Sequence, residues 1–215
     1  MSQADTVDRI LNAATLLFAE RGFAETSLRT ITGMAEVNLA SVNYHFGSKK
    51  ELIQAVFSRT LKPFALELDI CLDRLEDTKN NTASELISTK QLVECIFAAL
   101  LKATGDMNQD PQRFMRLLGL AYTQSQEHLR HFLVDEFGST YHRYTTLLSQ
   151  AQPNVDPVKF YWRLYFMLGA SVFTLSSFDA IRSILNADFE ADTSMDQVVE
   201  LMVSSLVGIL SPPGE

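Results

Sequence analysis

Hydrophobic positions recur with a helical period along nearly the whole chain. Val7, Ile10, Leu11, Ala14, Leu17 and Phe18 form one apolar stripe of an amphipathic helix, which Gly22 closes in the position of a C-terminal cap. Thr26 or Ser27 caps a short second helix that runs to Ala35 with Leu28 and Ile31 inward. Ala35-Glu36-Val37 makes a tight turn, and Asn38 caps a third helix, Leu39 to Phe46, ended by Gly47. Ser48-Lys49-Lys50-Glu51 has the pattern of a capping box and opens a fourth helix that extends toward Glu76. Pro63 within it predicts a kink or a break.

Residues 77–88, rich in Asn, Thr and Ser, predict a loop. Further helices are expected over 89–103, 111–126 and 128–151, the second opened by Asp110-Pro111. Asp156-Pro157 repeats that start for a helix reaching the mid-170s and continuing through Asp179–Asn186. Ser194 with Gln197 caps a last helix that ends before Pro212-Pro213. Nothing asks for a strand. The pattern predicts an all-α chain.

Composition narrows the class. The chain has 215 residues, 47% hydrophobic and 20% charged, enough to bury a real core. Its longest uncharged run, Leu164–Phe178, is too short for the roughly 20 residues a membrane span needs. No basic-then-apolar leader opens the chain. Cys71 and Cys95 form no CxxC pair, so a reducing cytoplasm without a disulfide scaffold is expected. No metal-ligand spacing, Glu-x-x-His, phosphate loop or nucleophile elbow occurs, so the sequence predicts no enzyme, metal or cofactor.

Charge is distributed unevenly. Residues 1–62 carry seven Lys/Arg and six Asp/Glu, a net of +1, whereas residues 63–215 carry 11 and 20, a net of −9. The N-terminal segment is thus relieved of the acidity that repels nucleic acid. Its second and third helices have the size of a helix-turn-helix. With Val42 and Phe46 inward, Leu39, Ala40, Asn43 and Tyr44 point outward, where Leu39 and Ala40 suit thymine methyls and Asn43 suits adenine. A small helix packed on both faces is the alternative.

Phe18-Ala19-Glu20-Arg21-Gly22-Phe23, Thr26-Ser27, Val42-Asn43-Tyr44-His45-Phe46 and Ser48-Lys49-Lys50-Glu51-Leu52 together resemble the N-terminal domain of TetR-family transcription factors. The resemblance implies a three-helix, helix-turn-helix DNA-binding domain (1–47), a linking fourth helix (48–76) and a larger helical ligand-sensing, dimerising domain (77–215). Thr26 and Ser27 would touch phosphate, Asn38, Leu39, Ala40, Ser41 and Asn43 would enter the major groove, and Tyr44, His45 and Lys49 would grip the backbone. Two positions depart from the family pattern: Glu36 stands where the turn often has Gly, and Thr32 where the preceding helix often has Ala.

Val198–Leu210 has one charge in thirteen residues, so a second subunit is its expected cover, with Leu164–Phe178 as the neighbouring interface helix. The residues expected at that homodimer interface are Gly169, Ala170, Val198, Leu201, Met202, Ser205, Leu206 and Ile209. Phe97, Phe114, Met115, Leu118, Tyr122, Phe166, Met167 and Phe173 line either a long apolar cavity or plain core. Phe114-Met115-Arg116-Leu117-Leu118-Gly119-Leu120-Ala121, Gln124-Ser125-Gln126, His128-Leu129-Arg130, Trp162-Arg163 and Phe166-Met167-Leu168-Gly169-Ala170 resemble the PsrA branch of the family. That branch implies a long-chain fatty acid or acyl-CoA effector that releases DNA at fatty-acid degradation genes, with Arg113, Arg116, His128, Arg130 and Arg163 as head-group candidates. A different hydrophobic effector with efflux control, or an all-α protein-interaction module, are the competing readings.

Overall fold

The computed structural model describes residues 3–82, 86–106, 110–124 and 127–211. They form ten α-helices, with no strand among the described residues. The first four are α1 (Gln3–Arg21), α2 (Leu28–Ala35), α3 (Leu39–Phe46) and α4 (Lys49–Thr82). After them come α5 (Thr89–Asp106), α6 (Pro111–Thr123), α7 (Glu127–Gln150), α8 (Pro157–Ser176), α9 (Phe178–Phe189) and α10 (Met195–Leu210).

Several ends are set by the signals that predict them. Asp110 accepts the Gln112 N–H at 2.9 Å ahead of Pro111, and Asp156 accepts the Val158 and Lys159 N–H groups ahead of Pro157. Ser194 and Gln197 close a reciprocal capping box at α10. Ser48, by contrast, accepts from Lys50 N–H at 3.1 Å instead of closing the expected box with Glu51.

The expected loop at 77–88 is largely helix, since α4 runs on to Thr82; residues 83–85 of that loop lie outside the described residues. Pro63 is accommodated inside α4, where it forgoes one backbone bond without ending the helix. Ser125 and Gln126, at the expected end of the 111–126 helix, lie outside the described residues, as do Pro212 and Pro213. Ser177 separates α8 from α9.

The chain divides into two compact units, Met1–Pro63 with Arg116–Phe137, and Phe64–Met115 with Gly138–Glu215. The division falls within α4, α6 and α7, not at the loops that the sequence boundaries follow. In the first unit, Phe18, Phe23 and Phe57 stack edge-on with centroids 5.3 and 5.9 Å apart. Ile10, Leu17, Ile31, Val42, Leu52 and Val56 close around them, all fully buried. Arg59 of α4 donates to Asn12 and Thr15 of α1, both at 3.0 Å.

In the second unit α10 packs on α5 and α8. Val199, Met202, Val203, Leu206 and Leu210 form its inner face. Met202 and Leu206, expected at a subunit interface, therefore belong to the protomer's own core, because α5 and α8 already cover that side. Tyr144 is buried with its hydroxyl donating to Leu92 O at 3.4 Å, and burial pushes its pKa up. Arg143 of α7 gathers Asp69, Asp73 and Glu76 of α4, and Lys102 of α5 pairs with Glu67 at 2.7 Å.

The absence of a disulfide expected from sequence is corrected by the fold. Cys71 on α4 and Cys95 on α5 are bonded, with Cα atoms 5.9 Å apart. A separation of 24 residues says nothing of distance once two helices lie side by side. Among the described residues no single helix is long and apolar enough to cross a membrane.

Candidate nucleic-acid interface

The first unit presents α3 as an exposed helix on a packed base. Asn38 caps it, its Oδ1 accepting from the Ser41 N–H at 2.8 Å and the Ser41 hydroxyl at 3.0 Å. Val42 is the inward anchor, wholly buried. Leu39, Ala40, Asn43 and Tyr44 are exposed on one strip of the helix, with Tyr44 78% accessible. An apolar pair beside a carboxamide matches the chemistry of a thymine methyl next to an adenine edge. His45 is half-buried and meets Tyr44 edge-on at 5.0 Å.

Two helix starts flank this strip within the same unit. Ser27 caps α2, accepting the Thr30 N–H at 3.0 Å, and leaves the remaining first-turn amides of an eight-residue helix at the surface. α4 begins at Lys49, directly after Gly47 and Ser48, and puts a positive dipole end and two lysines together. Gly47 adopts φ 78°, a conformation that favours glycine, which lets α3 and α4 join through two residues.

Thr26 is not at this surface. It is 0% exposed, and its hydroxyl donates to Gly22 O at 2.8 Å and Leu17 O at 3.2 Å, satisfying carbonyls at the end of α1. The phosphate contact expected of it is corrected accordingly: a buried, fully committed hydroxyl has no reach to solvent. Asn38 stays exposed, but its amide oxygen is spent on the cap.

The two departures in the turn are accommodated by separate devices. Glu36 takes the left-handed conformation, φ 50° and ψ 47°, that a glycine would hold at lower cost. Arg9 of α1 donates to both its carbonyl oxygen, at 3.2 Å, and its carboxylate, at 3.1 Å. The negative charge is thereby paired and drawn toward α1. Thr32 is buried and returns its hydroxyl to Arg29 O at 3.0 Å, so it fits an apolar position without an orphaned donor.

The segment that joins this unit from later in the chain touches it through polar bonds. Gln124 accepts the Phe23 N–H at 3.1 Å beside Gly22, whose φ is 79°. His128 O accepts from Gln54 at 3.4 Å. Desolvation lowers the His128 pKa, Lys50 lowers it further and Glu51 opposes both. Sequence reasoning missed Arg9 and Gln124 as supports, since only packing brings them to the turn and to the end of α1.

The apolar residues expected to line an effector cavity are split. Phe97, Phe114, Met115 and Met167 are buried in the second unit. Phe166 and Phe173, 57% and 66% exposed, stand on the outer face of α8, so they line no interior space. Leu118 is half-buried and Tyr122 exposed, and both fall in the first unit. A cavity of about 210 Å³ lies instead beside residues 151–155, Arg163 and Ser211, a mixed polar and apolar lining with none of the eight expected residues.

Arg163, one of the head-group candidates, donates to Leu210 O at 3.4 Å at the end of α10. Arg113 is half-buried, and Arg116 and Arg130 are exposed. Among the expected interface residues outside the core, Gly169, Leu201 and Ser205 are exposed, and Ala170, Val198 and Ile209 are half-buried. No group of three His, Cys, Asp or Glu among the described residues is placed to hold a metal ion.

Two family models match the chain. Residues 10–56 match the family model "Bacterial regulatory proteins, tetR family", and residues 94–208 match "Tetracyclin repressor-like, C-terminal domain". The "Probable HTH-type transcriptional regulator YttP" of Bacillus subtilis is 30% identical over 102 residues, 46% of this chain and 44% of that protein. The "HTH-type transcriptional repressor Rv3405c" of Mycobacterium tuberculosis is 55% identical over 47 residues, 22% of this chain and 25% of that one. The chain therefore spans less than half the length of these curated relatives. A TetR-like transcriptional regulator from Rhodococcus is similar in structure, with a TM-score of 0.60 at 18% identity, covering 98% of this chain and 96% of that one. At that identity the likeness shows the fold alone.

Two substitutions test the local reading. Thr26→Val keeps the shape but orphans two carbonyls, and should cost about 1–3 kcal/mol in denaturant unfolding. Its effect on DNA affinity should vanish where the protein is fully folded. Glu36→Gly relieves the left-handed strain and should raise stability by about 1 kcal/mol in the same measurement.

Proposed function

The chain belongs to the tetR family of bacterial regulatory proteins, whose members are DNA-binding transcriptional regulators and not enzymes, and we propose on that premise that it is a dimeric repressor released from its operator by a long-chain fatty acid or acyl-CoA, controlling fatty-acid degradation genes. The DNA-reading part rests on one observation: the exposed Leu39, Ala40, Asn43 and Tyr44 strip, held by a buried Val42 and flanked by the starts of α2 and α4. In this reading Leu39, Ala40, Ser41 and Asn43 meet base edges. Ser27 and Lys49 bind phosphate through helix-start amides and a cation, with Tyr44 and His45 against the backbone. Asn38 orients α3 and contributes through its amide nitrogen.

Dimerisation is supported by the outer face of α8. Val158, Trp162, Tyr165, Phe166, Gly169 and Phe173 make one exposed, largely apolar stripe opposite the face that packs inward. Leu201, Ser204, Ser205 and Gly208 lie outward on α10, where small side chains permit close approach. A second copy offering the same stripe would cover both, in a two-fold arrangement that suits a near-palindromic operator.

The effector reading is supported by the resemblance to the PsrA branch and by Phe97, Phe114, Met115 and Met167, large apolar side chains each buried in the second unit. An acyl chain gains about 0.8 kcal/mol per buried methylene, enough to compete with those contacts. Arg113, adjacent in sequence to Phe114 and half-buried, is the head-group candidate best placed for such a chain. A shift of about 1–3 kcal/mol in operator affinity suffices for release.

Fluorescence anisotropy on DNA from upstream of the protein's own gene, with and without oleoyl-CoA, tests this reading. Saturable binding should weaken steeply with salt and fall on adding oleoyl-CoA. Asn43→Ala should lose about 10-fold in affinity, the size of one good base contact. Binding indifferent to oleoyl-CoA and oleate would discard the fatty-acid effector and leave the regulator. Phe173→Glu, at the C-terminal end of the exposed stripe, should convert a dimer to a monomer in sedimentation; an unchanged dimer would move the interface elsewhere.

A further inference from the structure

The only covalent tie between helices among the described residues joins α4 to α5 through Cys71 and Cys95. Both cysteines belong to the second unit, and neither is among the residues proposed to read DNA or hold an effector. We propose that these two cysteines form a reversible redox site, a dithiol that reacts with low-molecular-weight disulfides and, once oxidised, locks the second half of α4 to α5.

The geometry supports both states. A Cα separation of 5.9 Å lies within the range that a disulfide spans, so closure needs no movement of either helix. Leu68 and Leu72 on α4 and Leu92 and Val93 on α5, within a turn of the two cysteines, are buried apolar positions, and packing of this kind does not itself require the covalent bond. Lys102 with Glu67, and Arg143 with Asp69, Asp73 and Glu76, hold α4 to α5 and α7 by ion pairs that exchange freely. The covalent bond is the tie whose presence the redox state decides.

Access sets the order of events. Cys95 is 2% exposed, whereas Cys71 is half-buried. The Cys71 thiolate attacks one sulfur of a small disulfide; that S–S bond breaks, and the departing thiolate takes the electron pair. Cys95, deprotonated in turn, attacks Cys71 Sγ and expels the second small thiolate. The two released thiolates take up the two protons the cysteines give. The protein is oxidised by two electrons and the small disulfide is reduced to two thiols. The reverse sequence, with reduced glutathione as attacking thiol, reopens the pair at Cys71.

The full chain is equilibrated in buffers from wholly reduced to wholly oxidised glutathione, quenched with iodoacetamide and weighed intact, with hydrogen exchange followed over 64–82. Two alkylatable thiols should disappear together and return under reduced glutathione while the protein stays folded. Amides of the second half of α4 should exchange about 10-fold more slowly in the oxidised form. Cys95→Ser should retain one glutathione at Cys71, and Cys71→Ser should retain none at the buried Cys95. A bond that survives excess reduced glutathione in the folded protein, thiols that stay reduced throughout, or identical α4 exchange in both states would each overturn the proposal.

Discussion

Everything that α3 can do depends on how firmly its inner side is held. An eight-residue helix has little stability of its own, so its orientation is borrowed from packing. Val42 supplies the anchor, and the Phe18, Phe23 and Phe57 cluster supplies the floor beneath the unit. That floor is drawn from α1, the turn after it and α4, three pieces that meet only in the folded state. Once it forms, Asn38 and Gly47 settle the two ends of α3, and the strip from Leu39 to Tyr44 is left outward by subtraction.

The same logic explains how the buried hydroxyls of this unit are satisfied. Thr15, Thr26, Thr32 and Thr60 are all buried, and each hydroxyl is returned to a backbone carbonyl nearby. Such bonds are local and silent in a sequence pattern. They are why Thr26, which looks like a surface cap next to Ser27, belongs to the interior while its neighbour takes the cap.

Most of the helices were legible from period and caps, because those signals act within one or two turns. Asp110-Pro111, Asp156-Pro157 and Ser194 with Gln197 each start a helix where the chain says they should. Pro63 and the polar stretch after Glu76 read as breaks, yet α4 runs through Pro63 and on to Thr82. The outer strip of α3 was readable from the contrast of Val42 with Leu39 and Asn43. What the sequence could not convey was pairing at a distance: Arg9 with Glu36, Gln124 with Phe23, Cys71 with Cys95. The apolar residues of the second unit were ambiguous for a related reason. Phe166 and Met167 are adjacent in the chain, yet one faces out and the other in, and composition does not tell which.

The joint at Gly47 and Ser48 has a mechanical meaning. α3 ends at Phe46 and α4 begins at Lys49, so the reading helix and the long helix share a hinge with no spare chain. Gly47 donates its N–H back to Asn43 O and Ser48 to Phe46 O, leaving little freedom in the joint. A change in the direction of α4 at this joint would be passed on to α3, as a crank turns its arm. In two copies facing one duplex, the angle of that crank would set the stride between them.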